Sequence, residues 1–209
     1  MKRLFSTLMN KKIFSSLCDL FEKNGYKLYM IGGSSRDFLL GVDFVDYDFV
    51  TDATPDEMKE FLKDANYTFE KFGSVKVKFE GIKADITTFR KEEGYGDFRH
   101  PNKITFVKSI EEDYRRRDLT INAIYINKDY EVIDPSNGKI DLENKLIRFI
   151  GDPEKRIQED PLRILRAERF AKKLNFKFEE KTAAAIEKYR YLLDKLNPDK
   201  VAEEARKAK

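Results

Sequence analysis

The sequence contains one cysteine, Cys18, and one histidine, His100, among 209 residues. A single thiol excludes a disulfide framework, a disulfide-linked partner and any thiolate metal cluster. A single imidazole leaves zinc binding or His-based acid–base chemistry without further ligands. No nucleophilic serine or Cys–His constellation stands out. Long apolar runs are also missing, since no stretch approaches the roughly 18 residues of a membrane span. The start Leu4-Phe5 is soon broken by Asn10-Lys11-Lys12, which is unlike a secretory core segment. No membrane association and a cytoplasmic location are therefore expected. An excess of charge is lacking too, with a net of only +3. Residues 152–209 carry 16 Lys and Arg against 12 Asp and Glu, while residues 1–151 carry 25 against 26. The C-terminal part is the better surface for an anionic ligand, and a solvated helix face accounts for the same charges equally well.

What is present is a 41% hydrophobic content, enough for a real core, under a surface kept polar by 38% charged residues. Ile13, Leu17, Leu20 and Phe21 give residues 9–24 a helical period, with Gly25 as the stop. Leu28–Ile31 reads as a buried strand running into Gly32-Gly33-Ser34, and Ser35–Leu40 as one or two helical turns ended by Gly41. Phe44 to Val50 alternates apolar and acidic residues, the pattern of a strand. Thr54-Pro55-Asp56-Glu57 is a helix start with a capping threonine, proline at the first position and glutamate at the third. Strands are expected at Ser74–Glu80 and Ile82–Phe89 about Gly81, followed by an irregular polar loop over 90–109. A helix over about 116–123, strands near 124–127 and 146–150, and a turn at Pro135–Gly138 complete an α+β unit. Beyond Gly151-Asp152-Pro153 the pattern is wholly helical, so the domain break is expected near 151.

Asp46 and Asp48 lie two apart on the acidic strand and project from one face. Two crowded carboxylates favour a cation between them, and hard ions such as Mg2+ take carboxylate oxygens and keep other positions for water and phosphate. Asp85, on another predicted strand, could complete the set. By itself an Asp-x-Asp is more often a solvated strand edge. The upstream context changes that, because a strand, Gly32-Gly33-Ser34 and a short helix set backbone N–H groups where a triphosphate could rest.

Gly32-Gly33-Ser34-Ser35-Arg36-Asp37-Phe38-Leu39-Leu40-Gly41, with Asp46-Tyr47-Asp48, resembles the first motif of the polymerase-beta superfamily. More narrowly it resembles the class II (bacterial-type) CCA-adding enzymes and bacterial poly(A) polymerases, with Ser35 where an aliphatic residue is usual. Arg116-Arg117-Asp118-Leu119-Thr120-Ile121-Asn122-Ala123 resembles the second motif. Asp134-Pro135-Ser136-Asn137-Gly138, with Asp141-Leu142 and Ile147-Arg148, resembles the third, a hinge and turn. The resemblance implies an α+β fold: a nucleotidyltransferase head of mixed β-sheet flanked by helices over 1–150, then an all-helical neck over 151–209. It also implies nucleotide-binding roles for Gly32, Gly33, Ser34, Arg36 and Asp37.

On a helix Asp118 and Asn122 would share a face. A carboxylate at Asp118 could prefer ribose by accepting from its 2′-hydroxyl, and Arg117 could serve phosphate. Glu159-Asp160-Pro161-Leu162-Arg163 is the most informative segment. Asp160 and Arg163, three apart on a helix, offer one acceptor edge beside one donor edge. Cytosine and adenine both present an amino donor beside a ring-nitrogen acceptor on the matching edge, while uracil and guanine present the reverse. Such a pair accepts C and A and refuses U and G without a template. Glu159, four before Arg163, would orient the guanidinium, and Arg166 is available for base or phosphate. An ordinary intrahelical ion pair is the competing explanation.

The expected activity is metal-dependent, template-independent addition of C, C and A to tRNA 3′ ends from CTP and ATP. The alternatives are a poly(A) polymerase, a CC-adding enzyme or a non-catalytic nucleotide- or RNA-binding module. The loop Arg90–Pro101, which contains His100, resembles the flexible loop of enzymes that add all three nucleotides and disfavours the CC-adding alternative. Keeping Asp46, Asp48 and Asp85 together disfavours the binding module. The family is normally about twice as long, so helices that grip tRNA are expected to be absent from this chain.

Overall fold

The computed structural model describes residues 2–95 and 101–206. Helix α1 (Lys2–Lys23) carries Phe14, Leu17, Cys18 and Phe21 on one buried stripe. Gly25, at φ 84°, ends it and releases the chain into β1 (Leu28–Met30). There follow α2 (Gly32–Leu39), β2 (Tyr47–Thr51), α3 (Pro55–Lys59), β3 (Ser74–Phe79) and β4 (Ile82–Thr88). Next come β5 (Arg90–Tyr95), β6 (Pro101–Phe106), α4 (Ile110–Asp113), β7 (Tyr125–Ile126) and β8 (Val132–Ile133). Six of these strands form a mixed sheet in the order β3-β4-β2-β1-β7-β8, parallel between β2 and β4 and antiparallel elsewhere.

Period-two alternation gives the sheet two faces. Tyr47, Phe49, Val75, Val77, Ala84 and Ile86 join the α1 stripe in one core. Tyr29, Ile31 and Val50 join Phe89, Val107, Ile110 and Tyr125 in a second. Asp48 shares the parity of Val50, so the second face passes from apolar to acidic along β2. Cys18 belongs to the first core: it is 1% exposed, and burial pushes its thiol up to about 12.

Several expectations hold. The Thr54 cap forms reciprocally, with Thr54 N–H donating to Glu57 Oε2 (2.6 Å) and Glu57 N–H to Thr54 Oγ1 (3.3 Å). The β3–β4 turn is made by Glu80 and Gly81, both at positive φ. Others need correction. The glycines of Gly32-Gly33-Ser34 are not a turn before α2 but its first residues. Asp46 and Val45 precede β2, and Val45 is 82% exposed where alternation would bury it.

Within 90–109 the described residues are not an irregular loop: β5 pairs with β6. The pair lacks the apolar alternation that marks a strand, because Arg90-Lys91-Glu92-Glu93 is charged on both faces. His100 lies outside the described residues. The helix expected over 116–123 is two short 3-10 turns, Tyr114–Arg116 and Thr120–Asn122, with Asp118 between them. Leu119 bridges to Phe149, Thr120 N–H donates to Arg148 O and Ile150 N–H to Asp118 O, so a distant strand-like pairing outweighs helix formation.

Through its contacts the chain forms two compact units: Met1–Lys91 with Thr105–Tyr114 and Ile124–Pro135, and Glu92–Ile104 with Arg115–Ala123 and Ser136–Lys209. The second contains α5 (Gly138–Glu143), β9 (Leu146–Ile147), α6 (Pro153–Glu159), α7 (Leu162–Leu174), β10 (Lys177–Phe178), α8 (Glu180–Tyr189) and α9 (Pro198–Arg206). The partition does not fall at 151. Residues 115–123 and 136–150 group with the helices through the Leu119–Phe149 bridge and the parallel pairing of β9 with β10. That last pairing also means the C-terminal part is not wholly helical.

Candidate active site

In the sheet unit the site is built on the first residues of α2. Gly32 sits at φ 66°, and a Cβ there would lie 3.1 Å from Asp48 Oδ2. Only glycine combines that backbone conformation with so close an approach. The next N–H, of Gly33, donates to the same oxygen at 3.2 Å. Ser34 then sutures the acidic segment: its hydroxyl donates to Asp46 O (2.9 Å) and accepts from Asp48 N–H (2.7 Å). The helix start and the acidic strand are thus one hydrogen-bonded unit. It leaves Asp46 exposed and Asp48 half-buried.

Cross-strand register brings the third carboxylate alongside. Asp48 is opposite Asp85, and Asp85 is opposite Lys76, so the three occupy one row on one face. Lys76 Nζ reaches both Asp85 oxygens, at 2.8 and 3.0 Å. Lys78 pairs with Lys83 one row on. These aspartates and lysines, with Asp46, line a groove of about 780 Å³. The three lysines were not singled out in the sequence, although the alternation in Ser74–Phe79 and Ile82–Asp85 already assigns them to the Asp85 face.

Among the described residues no three His, Cys, Asp or Glu side chains are grouped closely enough to hold an ion by themselves. The carboxylate oxygens of Asp46 and Asp48 are donors of the kind a hard divalent cation takes, with water and phosphate oxygens completing its shell. Arg36 is not on the groove surface. It is 1% exposed and donates through Nε to Asp37 Oδ1 at 2.8 Å.

In the helical unit three arginines and three carboxylates interlock. Asp118 Oδ1 accepts from Arg163 Nε (2.6 Å), and its Oδ2 accepts from Arg166 Nε (2.8 Å). Arg166 also donates through NH2 to Asp160 Oδ2 (2.7 Å). Arg163 NH1 donates to Glu159 Oε2 (2.7 Å) and to Arg156 O (2.7 Å). Burial alone would raise the Asp118 pKa. The Arg166, Arg163 and Arg156 guanidinium groups outweigh it and hold the carboxyl well below the usual range. The same balance holds Arg166 above its ordinary value: burial opposes its charge, and Asp118 and Asp160 more than offset it.

Asp160 and Arg163 are not neighbours within one helix. Asp160 is the extended C-terminal cap of α6 (φ −150°, ψ 95°), Pro161 follows, and Arg163 stands in the first turn of α7. They remain adjacent, since Arg163 N–H donates to Asp160 O at 3.0 Å. Asp160 Oδ1 also accepts from Leu162 N–H. Both side chains are buried, at 5% and 3% exposure, and each is fixed by other partners. The Glu159–Arg163 pair is present as expected.

Asn122 is half-buried and closes a 3-10 turn through its N–H to Leu119 O, so the shared helical face expected with Asp118 does not exist. Arg117 gives its carbonyl to Arg156 NH2 at 3.0 Å. Arg156 was not singled out in the sequence, where it reads as one more charge on a helix.

The family described as “Poly A polymerase head domain” matches residues 28–148. The CCA-adding enzyme of Lactobacillus helveticus (strain DPC 4571) is 44% identical over 183 residues, 88% of this chain and 46% of the relative. That of Pediococcus pentosaceus is 45% identical over 186 residues, 89% and 47% of the two chains. The crystal structure of the Bacillus stearothermophilus CCA-adding enzyme in complex with CTP superposes with a TM-score of 0.86 at 32% identity, covering 94% of this chain and 48% of the other. A tRNA nucleotidyltransferase complexed with a primer tRNA and an incoming ATP analogue gives a TM-score of 0.66 at 34% identity, covering 83% and 49%. The chain spans about half the length of the curated relatives it matches.

Proposed function

Because this chain belongs to the poly A polymerase head-domain family, we propose that it is the nucleotidyl-transferring portion of an enzyme that adds C, C and A to tRNA 3′ ends from CTP and ATP. The observation that carries this reading is the fixed pair Asp160 and Arg163, an acceptor beside a donor, each buried and held by partners outside the pair. A pair free to rotate would satisfy uracil and guanine as readily as cytosine and adenine. A fixed one discriminates, because uracil or guanine would set a carbonyl against the Asp160 carboxylate and an N–H against the Arg163 guanidinium.

The sheet unit supplies the transfer. Asp46 and Asp48 are the residues that would hold Mg2+, with Asp85 as the third carboxylate of the row. The ion, when bound, lowers the cost of charge on the transferring phosphoryl group and of ionising the terminal 3′-hydroxyl. Ser34 and Gly33 keep the acidic segment in register with the start of α2, whose N-terminus favours triphosphate oxygens. In the helical unit Asp118 accepts one arginine Nε on each oxygen. A carboxylate has about four acceptor positions, so capacity remains for a ribose 2′-hydroxyl. Charge compensation by the arginines keeps Asp118 an acceptor at neutral pH.

The test is incubation of the chain at high concentration with Mg2+ and a tRNA transcript lacking its 3′ CCA. Each nucleoside triphosphate is offered singly and then all together, with Asp46→Ala/Asp48→Ala as the control. Addition of C, C and A, abolished in the control, is the expected result. A long A tail would reassign the chain to poly(A) synthesis. No addition together with metal-independent nucleotide binding would leave a binding module.

A further inference from the structure

We propose that Arg156, which belongs to none of the three motifs nor to the Glu159–Arg163 segment, is a positioning residue that couples ribose reading to base reading in the helical unit. The inference rests on the nucleotide-selecting role given above to Asp118, Asp160 and Arg163.

Arg156 lies on α6, 8% exposed. Its NH2 donates to two successive carbonyls, Arg116 O at 2.7 Å and Arg117 O at 3.0 Å. Those are the two residues immediately before Asp118, so the fork sets the path of the backbone that carries the ribose-reading carboxylate. The same NH2 lies 3.9 Å from Asp118 Oδ1. Its NH1 donates to Glu159 Oε2 at 2.5 Å, the oxygen that also receives Arg163 NH1 at 2.7 Å. The Arg156 carbonyl accepts from Arg163 NH1 as well. One residue thus fixes Asp118 through its backbone and Arg163 through both a shared carboxylate oxygen and its own carbonyl.

Packing does not explain the choice of side chain. Arg156 Nε is buried with no hydrogen-bond partner among the described residues, a cost that an apolar side chain of similar volume would avoid. What only arginine supplies is a planar fork able to hold two carbonyls and a carboxylate at once. Lysine retains the charge and most of the length but offers a single ammonium that cannot span these acceptors.

The experiment measures equilibrium dissociation constants of CTP, dCTP and UTP, with Mg2+, for the chain and for Arg156→Lys. The unsubstituted chain should prefer CTP over both of the others. In Arg156→Lys both preferences should shrink together, on the order of tenfold, as a two-armed charge-assisted contact is lost. Uniform weakening for all three nucleotides with unchanged ratios, or loss of one preference alone, would overturn the coupling. Equal binding of CTP and UTP by the unsubstituted chain would instead defeat the nucleotide-selecting reading itself, and the coupling with it. Should Arg156→Lys melt below the assay temperature, Glu159→Gln serves. It weakens the Arg163 arm and leaves the two carbonyl bonds, so the CTP/UTP preference should fall and the CTP/dCTP preference persist. A Glu159→Gln chain with both ratios unchanged would also overturn the proposal.

Discussion

At the scale of the residue, two positions carry the account's sharpest consequences. Gly32 occupies a left-handed conformation with Asp48 Oδ2 at the edge of the space a Cβ would need. Gly32→Ala should lower stability by about 1–2 kcal/mol from backbone strain, measured by denaturant unfolding. It should also weaken Mg2+-dependent nucleotidyl transfer by more than the fold loses, because the carboxylate must shift. Asp118 is the second position. Its folded pKa is depressed by the surrounding arginines, so its stabilising contribution is complete above its unfolded value, near about pH 4, and is lost as pH falls through the folded value. Stability should therefore not change on account of Asp118 between neutrality and about pH 5, and should decline in stronger acid. Asp118→Asn should cost about 2–4 kcal/mol at neutral pH by leaving guanidinium charge uncompensated and should flatten that acid dependence. An unfolding series against pH for both proteins checks the sign and the window.

At the scale of the element, what was legible in the sequence is what is decided locally. Thr54, Pro55 and Glu57 specify a helix start within four residues, and the structure has it; Thr54→Ala should cost about 1 kcal/mol in thermal or chemical unfolding. Glu80-Gly81 and the alternation around it specify β3 and β4, and through them the row of Lys76, Asp85 and Asp48. Elements decided by distant partners were not legible. Residues 116–123 contain enough helix-compatible side chains to suggest a helix, but Leu119 finds its partner in Phe149, thirty residues on, and the backbone is pulled extended at Leu119, between two 3-10 turns.

The polar pair β5 and β6 shows the same limit in another form, since backbone pairing without a buried face leaves no pattern to read. One signal was present and missed. Asp160 precedes a proline, which disfavours helical backbone at that position, and the residue is indeed the extended break between α6 and α7. The Asp160–Arg163 pair was therefore correct as a juxtaposition and wrong as a helical spacing.

At the scale of the whole molecule, the proposed function divides the labour between two units: carboxylates, lysines and a helix start in one, and an arginine–carboxylate lattice in the other. The surplus of basic residues lies in 152–209, 16 against 12, so RNA phosphates are expected to be contacted there. For about three phosphates on a single-stranded 3′ end, affinity should fall roughly twentyfold between about 50 and about 200 mM salt, which a filter-binding titration measures. Salt-independent binding would move RNA recognition away from the charges.

One set of nucleotide-binding titrations tests the proposed division of labour. CTP, ATP, UTP and GTP would be titrated with and without Mg2+ against the chain, Asp48→Asn and Arg163→Ala. Asp48→Asn should lose the effect of Mg2+ and keep the preference for CTP and ATP, while Arg163→Ala should lose the preference and keep the effect of Mg2+. If either substitution removes both properties from a protein that still melts cooperatively, or neither removes its own, the assignment of transfer to one unit and selection to the other is contradicted.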